Sequence, residues 1–186
     1  NSLIRNNLLY NNHASGISLY KIDGGQKSND NVICNNTIIM SPNGRWTINL
    51  KNGSSRNIIY NNILLTKHSW RGSIATDSIE GLVSDYNLFT TNESAITADN
   101  DVTHLTLREW QSCGFDRNSI QATIEEVFVD SSQNNYRLED YSPCISAGTI
   151  TTNMSDTDIE GNLRPNPPGT APDIGAYESI SGHIKS

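Results

Sequence analysis

The sequence predicts an all-β solenoid, a parallel β-helix of about four short coils followed by one short helix and an irregular capping tail. Three observations carry that reading. Asn-Asn followed by an apolar run recurs as Asn6-Asn7-Leu8-Leu9, Asn35-Asn36-Thr37-Ile38-Ile39 and Asn61-Asn62-Ile63-Leu64-Leu65, with a fainter Tyr86-Asn87-Leu88-Phe89. The second residue of the phrase stands at 7, 36, 62 and 87, giving spacings of 29, 26 and 25 residues. A period in the twenties built from short strands marks a solenoid, in which each repeat buries its apolar face only against its neighbours. Only 35% of the 186 residues are hydrophobic, which suits a narrow rod whose residues lie mostly on the outer wall. Repeated Asn and Ser with little charge favour turns over long helices.

Aligned on the marker Asn, each coil divides into three strands. Before the marker lie Leu3-Ile4-Arg5, Val32-Ile33-Cys34 and Ile58-Ile59-Tyr60, and after it Leu8-Leu9-Tyr10, Ile38-Ile39-Met40 and Ile63-Leu64-Leu65. A loop leads to the third strand: Gly16 to Tyr20, Trp46 to Leu50 and Ser73 to Asp77. Side chains alternate across a strand, so Ile17/Leu19, Ile48/Leu50 and Ile74/Thr76 are expected inside, and Ser18/Tyr20, Thr47/Asn49 and Ala75/Asp77 on the solvent face. Asn7, Asn36 and Asn62 are expected to stack, because an amide that both donates and accepts bonds to its own copy one coil away. That is a scaffold role. In the fourth coil Ser84 falls where the others place Ile, as in a terminating repeat.

The coils are assigned to residues 1–98 and a C-terminal capping region packed on the helix end to 99–186. Thr106 with Glu109 forms a capping box and Gly114 sits where a helix ends, so 107–113 is expected to be helical and to lay Trp110 on the last coil. Val127-Phe128-Val129 and Tyr136-Arg137-Leu138 read as strands. Thr149 to Pro172 reads as an irregular wrap that Ile174 and Tyr177 pin down.

The Asn-marked coils resemble the right-handed parallel β-helix repeats of the pectate-lyase-like superfamily, which includes many secreted polysaccharide lyases and glycosidases. The tail strengthens the resemblance. Its Thr106 to Gln111, Gly114-Phe115-Asp116, Val127 to Asp130, Tyr136 to Leu138, Ser142 to Gly148, Asp158 to Pro165 and Asp173 to Glu178 look like the end region of many bacterial extracellular β-helix proteins. The resemblance covers nearly the whole chain and implies a right-handed coil and a secreted or cell-surface protein. Members with and without enzymatic activity share this ending, so it does not imply a substrate.

Charge is unevenly spread. Residues 1–72 hold eight basic and two acidic side chains, the remainder five and eighteen, for a net −7. The repeat half therefore attracts a polyanion and the tail repels one. No nucleic-acid motif accompanies this local charge, and no apolar stretch approaches the roughly 20 residues of a membrane span. Cys34, Cys113 and Cys144 cannot all pair within the chain. Either Cys113 and Cys144 form one bridge or all three remain thiols. Sequons stand at Asn35, Asn52, Asn92 and Asn153. The chain opens at Asn1 directly on a strand-like repeat, and a solenoid end needs a cap, so earlier coils or an N-terminal domain of the same polypeptide are an expected partner.

In the superfamily the resemblance points to, sites lie on the outer face of the third strand and in the loops entering it. Here that region offers His13, Tyr20, Arg45, Asn49, Lys51, His68, Trp70, Arg71 and Asp77 as candidate substrate-binding residues, with Lys21 nearby. Arg45 and Arg71 precede equivalent strands and are expected on one wall, and Trp70 offers a face for a sugar ring. A lyase of this kind uses a basic residue to take a proton alpha to a uronate carboxylate, with cations or Ca²⁺ neutralising that carboxylate. A glycosidase needs two carboxylates, and only Asp77 clearly faces the expected groove. Asp156, Asp158 and Glu160 form a candidate Ca²⁺ site, although an EF-hand is excluded because its twelfth position is Pro167. The expected function is binding or degrading an acidic polysaccharide, with a non-catalytic surface or adhesion module as the alternative. No catalytic residue is assigned.

Overall fold

The structure, a computed structural model, describes residues 1–91, 97–99 and 103–180. It is a parallel β-solenoid. The first coil contains β1 (Leu3–Arg5), β2 (Leu8–Tyr10) and β3 (Ile17–Leu19), and the second β4 (Val32–Cys34), β5 (Thr37–Met40) and β6 (Ile48–Leu50). The third contains β7 (Ile58–Tyr60), β8 (Ile63–Thr66) and β9 (Ile74–Thr76). After these three regular turns, β10 (Val83–Asp85), β11 (Leu88–Thr90) and β12 (Thr97–Asp99) add one further strand to each sheet without repeating the coil regularly. The third sheet ends when β12 turns back as an antiparallel pair with β13 (Thr103–Leu105). α1 (Leu107–Ser112) follows, then β14 (Ile120–Ala122) beside β11, α2 (Ile124–Val127), and the antiparallel pair β15 (Phe128–Asp130) and β16 (Asn135–Leu138).

The register is the one the alignment predicts: Leu3↔Val32↔Ile58, Leu8↔Thr37↔Ile63 and Ile17↔Ile48↔Ile74. Ile33, Ile38, Ile48, Leu50, Ile59, Leu64, Ile74 and Phe89 fill the rod. A second core lies outside the coils. Ile39, Ile63, Leu65 and Leu88 meet Val127, Phe128, Tyr136, Cys144, Ile145 and Ile174 of the tail. The second sheet is thus covered on both faces, which explains why β5 and β8 read as unbroken apolar runs, whereas β6, Ile48-Asn49-Leu50, alternates because its outer face is open.

The marker amides form the expected ladder, and Asn87 extends it. Asn7 Nδ2 donates to Asn36 Oδ1 at 2.8 Å, Asn36 Nδ2 to Asn62 Oδ1 at 2.9 Å and Asn62 Nδ2 to Asn87 Oδ1 at 3.1 Å. Each Oδ1 also accepts the backbone N–H of the marker one coil before it. The ladder ends on buried Asp116, which accepts from Asn87 Nδ2 at 2.9 Å, Ser119 Oγ at 2.6 Å and Trp110 Nε1 at 2.8 Å. Burial pushes the Asp116 carboxyl up against the pull of these donors. A second stack, Asn31 on Asn57, holds the opposite end of the β4 and β7 strands.

The first Asn of each phrase does different work. Asn6, Asn35 and Asn61 sit at φ 54°, 52° and 55°, and Tyr86 occupies the same place at φ 56°. Asn tolerates this left-handed turn better than other residues with a Cβ. Its amide then points outward and holds the tail. Asn61 exchanges hydrogen bonds with Thr149, Asn35 Nδ2 lies 3.5 Å from Asp173 O, and Asn6 Nδ2 donates to Thr157 O at 2.8 Å. Residues from 99 onward therefore divide into two parts. α1, with its Thr106–Glu109 capping box and Trp110 in the rod core, closes the coil end, while 144–178 run back along the corner toward the first coil. Buried Arg164 and Glu178 pair at 2.9 Å within that strap, and Arg164 also reaches Asn6 Oδ1.

Several local expectations change. Thr47 and Ala75 are buried, because Thr47 Oγ1 donates to Ser73 O and Trp46 folds over Ala75 on the outer face. Val127 ends α2, whose own Thr123–Glu126 capping box precedes it. Cys34, Cys113 and Cys144 remain thiols, and no disulfide joins them. Burial raises the Cys34 thiol to about 11. Asn35 is buried, Asn52 is exposed, and the Asn92 sequon lies outside the described residues. Among the described residues no helix is long and apolar enough to cross a membrane.

Candidate functional site

The open outer face of the third sheet gathers most of the candidate side chains. Ser18 and Asn49 are register partners, and Tyr20, Lys51 and Asp77 follow the ends of β3, β6 and β9. With Arg45, Ala14, Ser15 and Asn52 they line a groove of about 460 Å³. Five of the nine predicted residues, Tyr20, Arg45, Asn49, Lys51 and Asp77, thus meet in one place. The coil period brings them there: residues distant in sequence recur at the same point of successive turns.

Their chemistry is uneven. Asp77 is committed to the turn one coil earlier, accepting Asn52 N at 2.7 Å and Gly53 N at 3.0 Å. Those residues sit at φ 58° and 67°, and the carboxylate neutralises the exposed N–H groups of that turn. Lys51 Nζ and Asn49 Oδ1 are shielded from solvent, and neither has a hydrogen-bond partner among the described residues. Arg45 is exposed at the groove edge.

A second group stands farther along the same face. Trp70 is 41% exposed, with the Arg71 guanidinium 4.2 Å from its ring centre. Trp46 meets it edge-on at 6.5 Å, and His104 lies 5.7 Å away. His68 braces this plate. Its Nδ1 accepts Trp70 N at 3.2 Å and Arg71 N at 3.1 Å, while Arg71 Nη1 lies 3.1 Å from Nε2. Burial, then the Arg71 charge, pushes the His68 imidazole below its ordinary range and favours the neutral ring. Arg45 and Arg71 are equivalent in register, yet one borders the groove and the other stacks on Trp70. His13 is exposed on the loop before β3 and lines neither feature.

Trp46 and His104 are additions to the predicted set. Trp46 is adjacent to Arg45 in sequence, but extending strand alternation back from Ile48 sends it inside; β6 begins only at Ile48, and the preceding corner turns the ring outward. His104 arrives on β13 through an antiparallel return that no repeat announces.

The three tail acids are dispersed in their roles. Asp158 accepts Glu160 N, Asn162 N and Glu178 N; burial pushes its carboxyl up, but these donors together hold it below the ordinary range. Glu160 pairs with Arg137, and Asp156 is exposed. Among the described residues no three His, Cys, Asp or Glu side chains group as a metal site. An apolar cavity of about 270 Å³ between Ile79, Leu105, Trp110, Cys113 and Phe115 shares Asp77 with the groove and lies where α1 closes the rod. Compared with protein families and with curated proteins, the chain matches no family model and no curated sequence.

Proposed function

We propose that this chain is the β-solenoid portion of a secreted carbohydrate-active protein and that it binds an acidic polysaccharide along the outer face of the third sheet. The observation that carries the reading is a groove bordered by Arg45 and Lys51 whose one acid, Asp77, is spent on a backbone turn. The Trp70 plate supports it, since a partly exposed indole beside a cation offers apolar surface to a sugar ring and positive charge to its carboxylate. Fixed cations recognise a carboxylate polymer through charge-assisted hydrogen bonds.

A glycosidase mechanism is disfavoured, because two working carboxylates are required and Asp77 is the one carboxylate among the described residues that line the groove. Cleavage, if it accompanies binding, fits proton abstraction by a basic groove residue. The same lack of a free acid favours the second reading, a non-catalytic surface or adhesion module. Incubation with pectin, alginate and glycosaminoglycans separates the two. Retention on these polymers with growth of the unsaturated-uronate absorbance marks a lyase, and retention without it marks a binding module. An Arg45→Ala, Arg71→Ala double variant is expected to lose retention; undiminished retention would count against the site.

A further inference from the structure

We infer that the apolar cavity beside α1 receives an aromatic group carried by the sugar chain in the groove, so that the ligand is an arylated polysaccharide and not a bare one. This rests on the acidic-polysaccharide reading above and adds a second site to it. In the third sheet β9 pairs with β12 at Ile74 and Ala75, and the cavity of about 270 Å³ begins at the next residue, Thr76. There the regular coils give way to β13 and α1, whose Leu105 and Trp110 line the cavity together with Phe115. Phe115 stacks on Trp110 at 4.3 Å, and Ile79, 56% exposed, stands at the mouth.

The principal polar groups around the cavity are already matched. Thr76 Oγ1 donates to Ser78 O at 2.7 Å, Ser78 Oγ accepts Glu80 N at 3.4 Å, and Trp110 Nε1 donates to Asp116 Oδ2 at 2.8 Å. Asp77 lines both cavity and groove, and its carboxylate turns to Asn52 and Gly53 on the groove side. The occupant therefore needs apolar surface and brings no hydrogen-bonding demand, which disfavours a bare sugar ring. A cavity of about 150 Å³ lined by Leu, Ile and Phe takes a benzene ring, so 270 Å³ holds one ring with a short linker. A methyl or acetyl group would leave most of that space without contacts. Because groove and cavity adjoin at Asp77, a ring esterified to a sugar hydroxyl reaches the cavity while its sugar lies in the groove.

Three probes test this on the whole chain: methyl cinnamate, an oligogalacturonate, and that oligomer carrying one cinnamoyl ester. Cys113, exposed on the cavity rim, is the reporter, because Cys34 and Cys144 are buried. Methyl cinnamate is expected to slow alkylation of Cys113 by N-ethylmaleimide, followed by intact mass. The cinnamoylated oligomer is expected to bind at least about tenfold more tightly than the bare one, the effect of burying one ring. Prior alkylation of Cys113 is expected to erase that gain and Ile79→Gln to reduce it, both leaving affinity for the bare oligomer unchanged, with thermal melts confirming the fold. Equal binding of the two oligomers by the wild-type chain overturns the inference and leaves the acidic-polysaccharide reading intact. So does a gain that survives in full after alkylation of Cys113 and in Ile79→Gln, since the ring would then be bound elsewhere. If neither oligomer binds, the underlying reading fails and the inference falls with it.

Discussion

The Asn corner and the third-sheet wall both place amides and cations where water is excluded, but they treat them in opposite ways. At the corner Asn36 and Asn62 each donate to the next marker and to strand carbonyls, and each accepts twice from the coil before. On the wall Asn49 Oδ1 and Lys51 Nζ are shielded and unmatched. A fully matched buried amide makes scaffold, because every alternative arrangement loses bonds. An unmatched one has no scaffold explanation, and the difference distinguishes residues that build the rod from residues kept for something else.

The strongest test of the contrast compares two amide replacements. Asn62→Leu strips donors or acceptors from Asn36, Asn87, Ile33 and Tyr60, and should cost about 4 kcal/mol, several buried groups losing partners together. Asn49→Leu removes an acceptor that no described donor uses, and should cost close to nothing. Guanidinium unfolding midpoints measure both, and equal losses would end the distinction between corner and wall.

How much of this was legible in the sequence follows from the range of the interactions. The ladder was readable because its partners are copies of one residue at a fixed period. Asn31 and Asn57 carry an equally regular signal, each five residues before its marker, and α2 repeats the Thr-x-x-Glu box that identified α1. The unbroken apolar runs of β5 and β8 also indicated a covering layer, but not which segment covers them. The role of Asn6, Asn35 and Asn61 was not readable, since their tail partners lie up to about 150 residues away with no period linking them. The groove set followed from the register once the resemblance had pointed to the outer face of the third strand and its loops. The commitment of Asp77 and the orphan state of Lys51 depend on side-chain geometry that spacing does not encode.

The corner's outer side carries a pH dependence. Burial, then the Asp173 charge, raises Glu178 to about 7 despite Arg164. Its unfolded value is about 4.3, so the folded chain holds this proton more tightly. The stability it lends is fully present below about pH 4.3 and is lost as pH rises through about 7, a change on the order of 4 kcal/mol. Asp116 is displaced in the same direction and His68 acts oppositely, so the diagnostic is the difference between the wild-type chain and Glu178→Gln. Hydrogen exchange at Thr149–Thr157 should quicken between pH 5 and 8 in the wild-type chain and change less in the variant. Identical profiles would show that Glu178 does not govern the strap.

On the wall the expected sign reverses. Lys51→Met keeps an apolar stem and removes the unmatched ammonium, and should stabilise the ligand-free chain by about 1 kcal/mol. Such a gain, together with weaker retention on acidic polymers, is what a residue retained for a ligand should show. Destabilisation in the ligand-free melt would mean that Lys51 belongs to the scaffold after all.

The smallest effect returns to the corner, where one residue breaks the pattern. Tyr86 holds φ 56° at the place where the earlier coils put Asn, and its own N–H is drawn to Asp85 Oδ1 at 2.9 Å. An aromatic side chain gains nothing from the left-handed region, whereas Asn is several-fold enriched there. Tyr86→Asn should therefore stabilise the chain by about 0.5 kcal/mol, reduced by whatever contact the half-buried ring makes. A rise in melting temperature would show that the first Asn of each phrase is selected for backbone conformation even where no tail strand waits to be held. A fall would assign that position to its outward contacts, and the corner's two Asn residues would then be distinguished by partners alone.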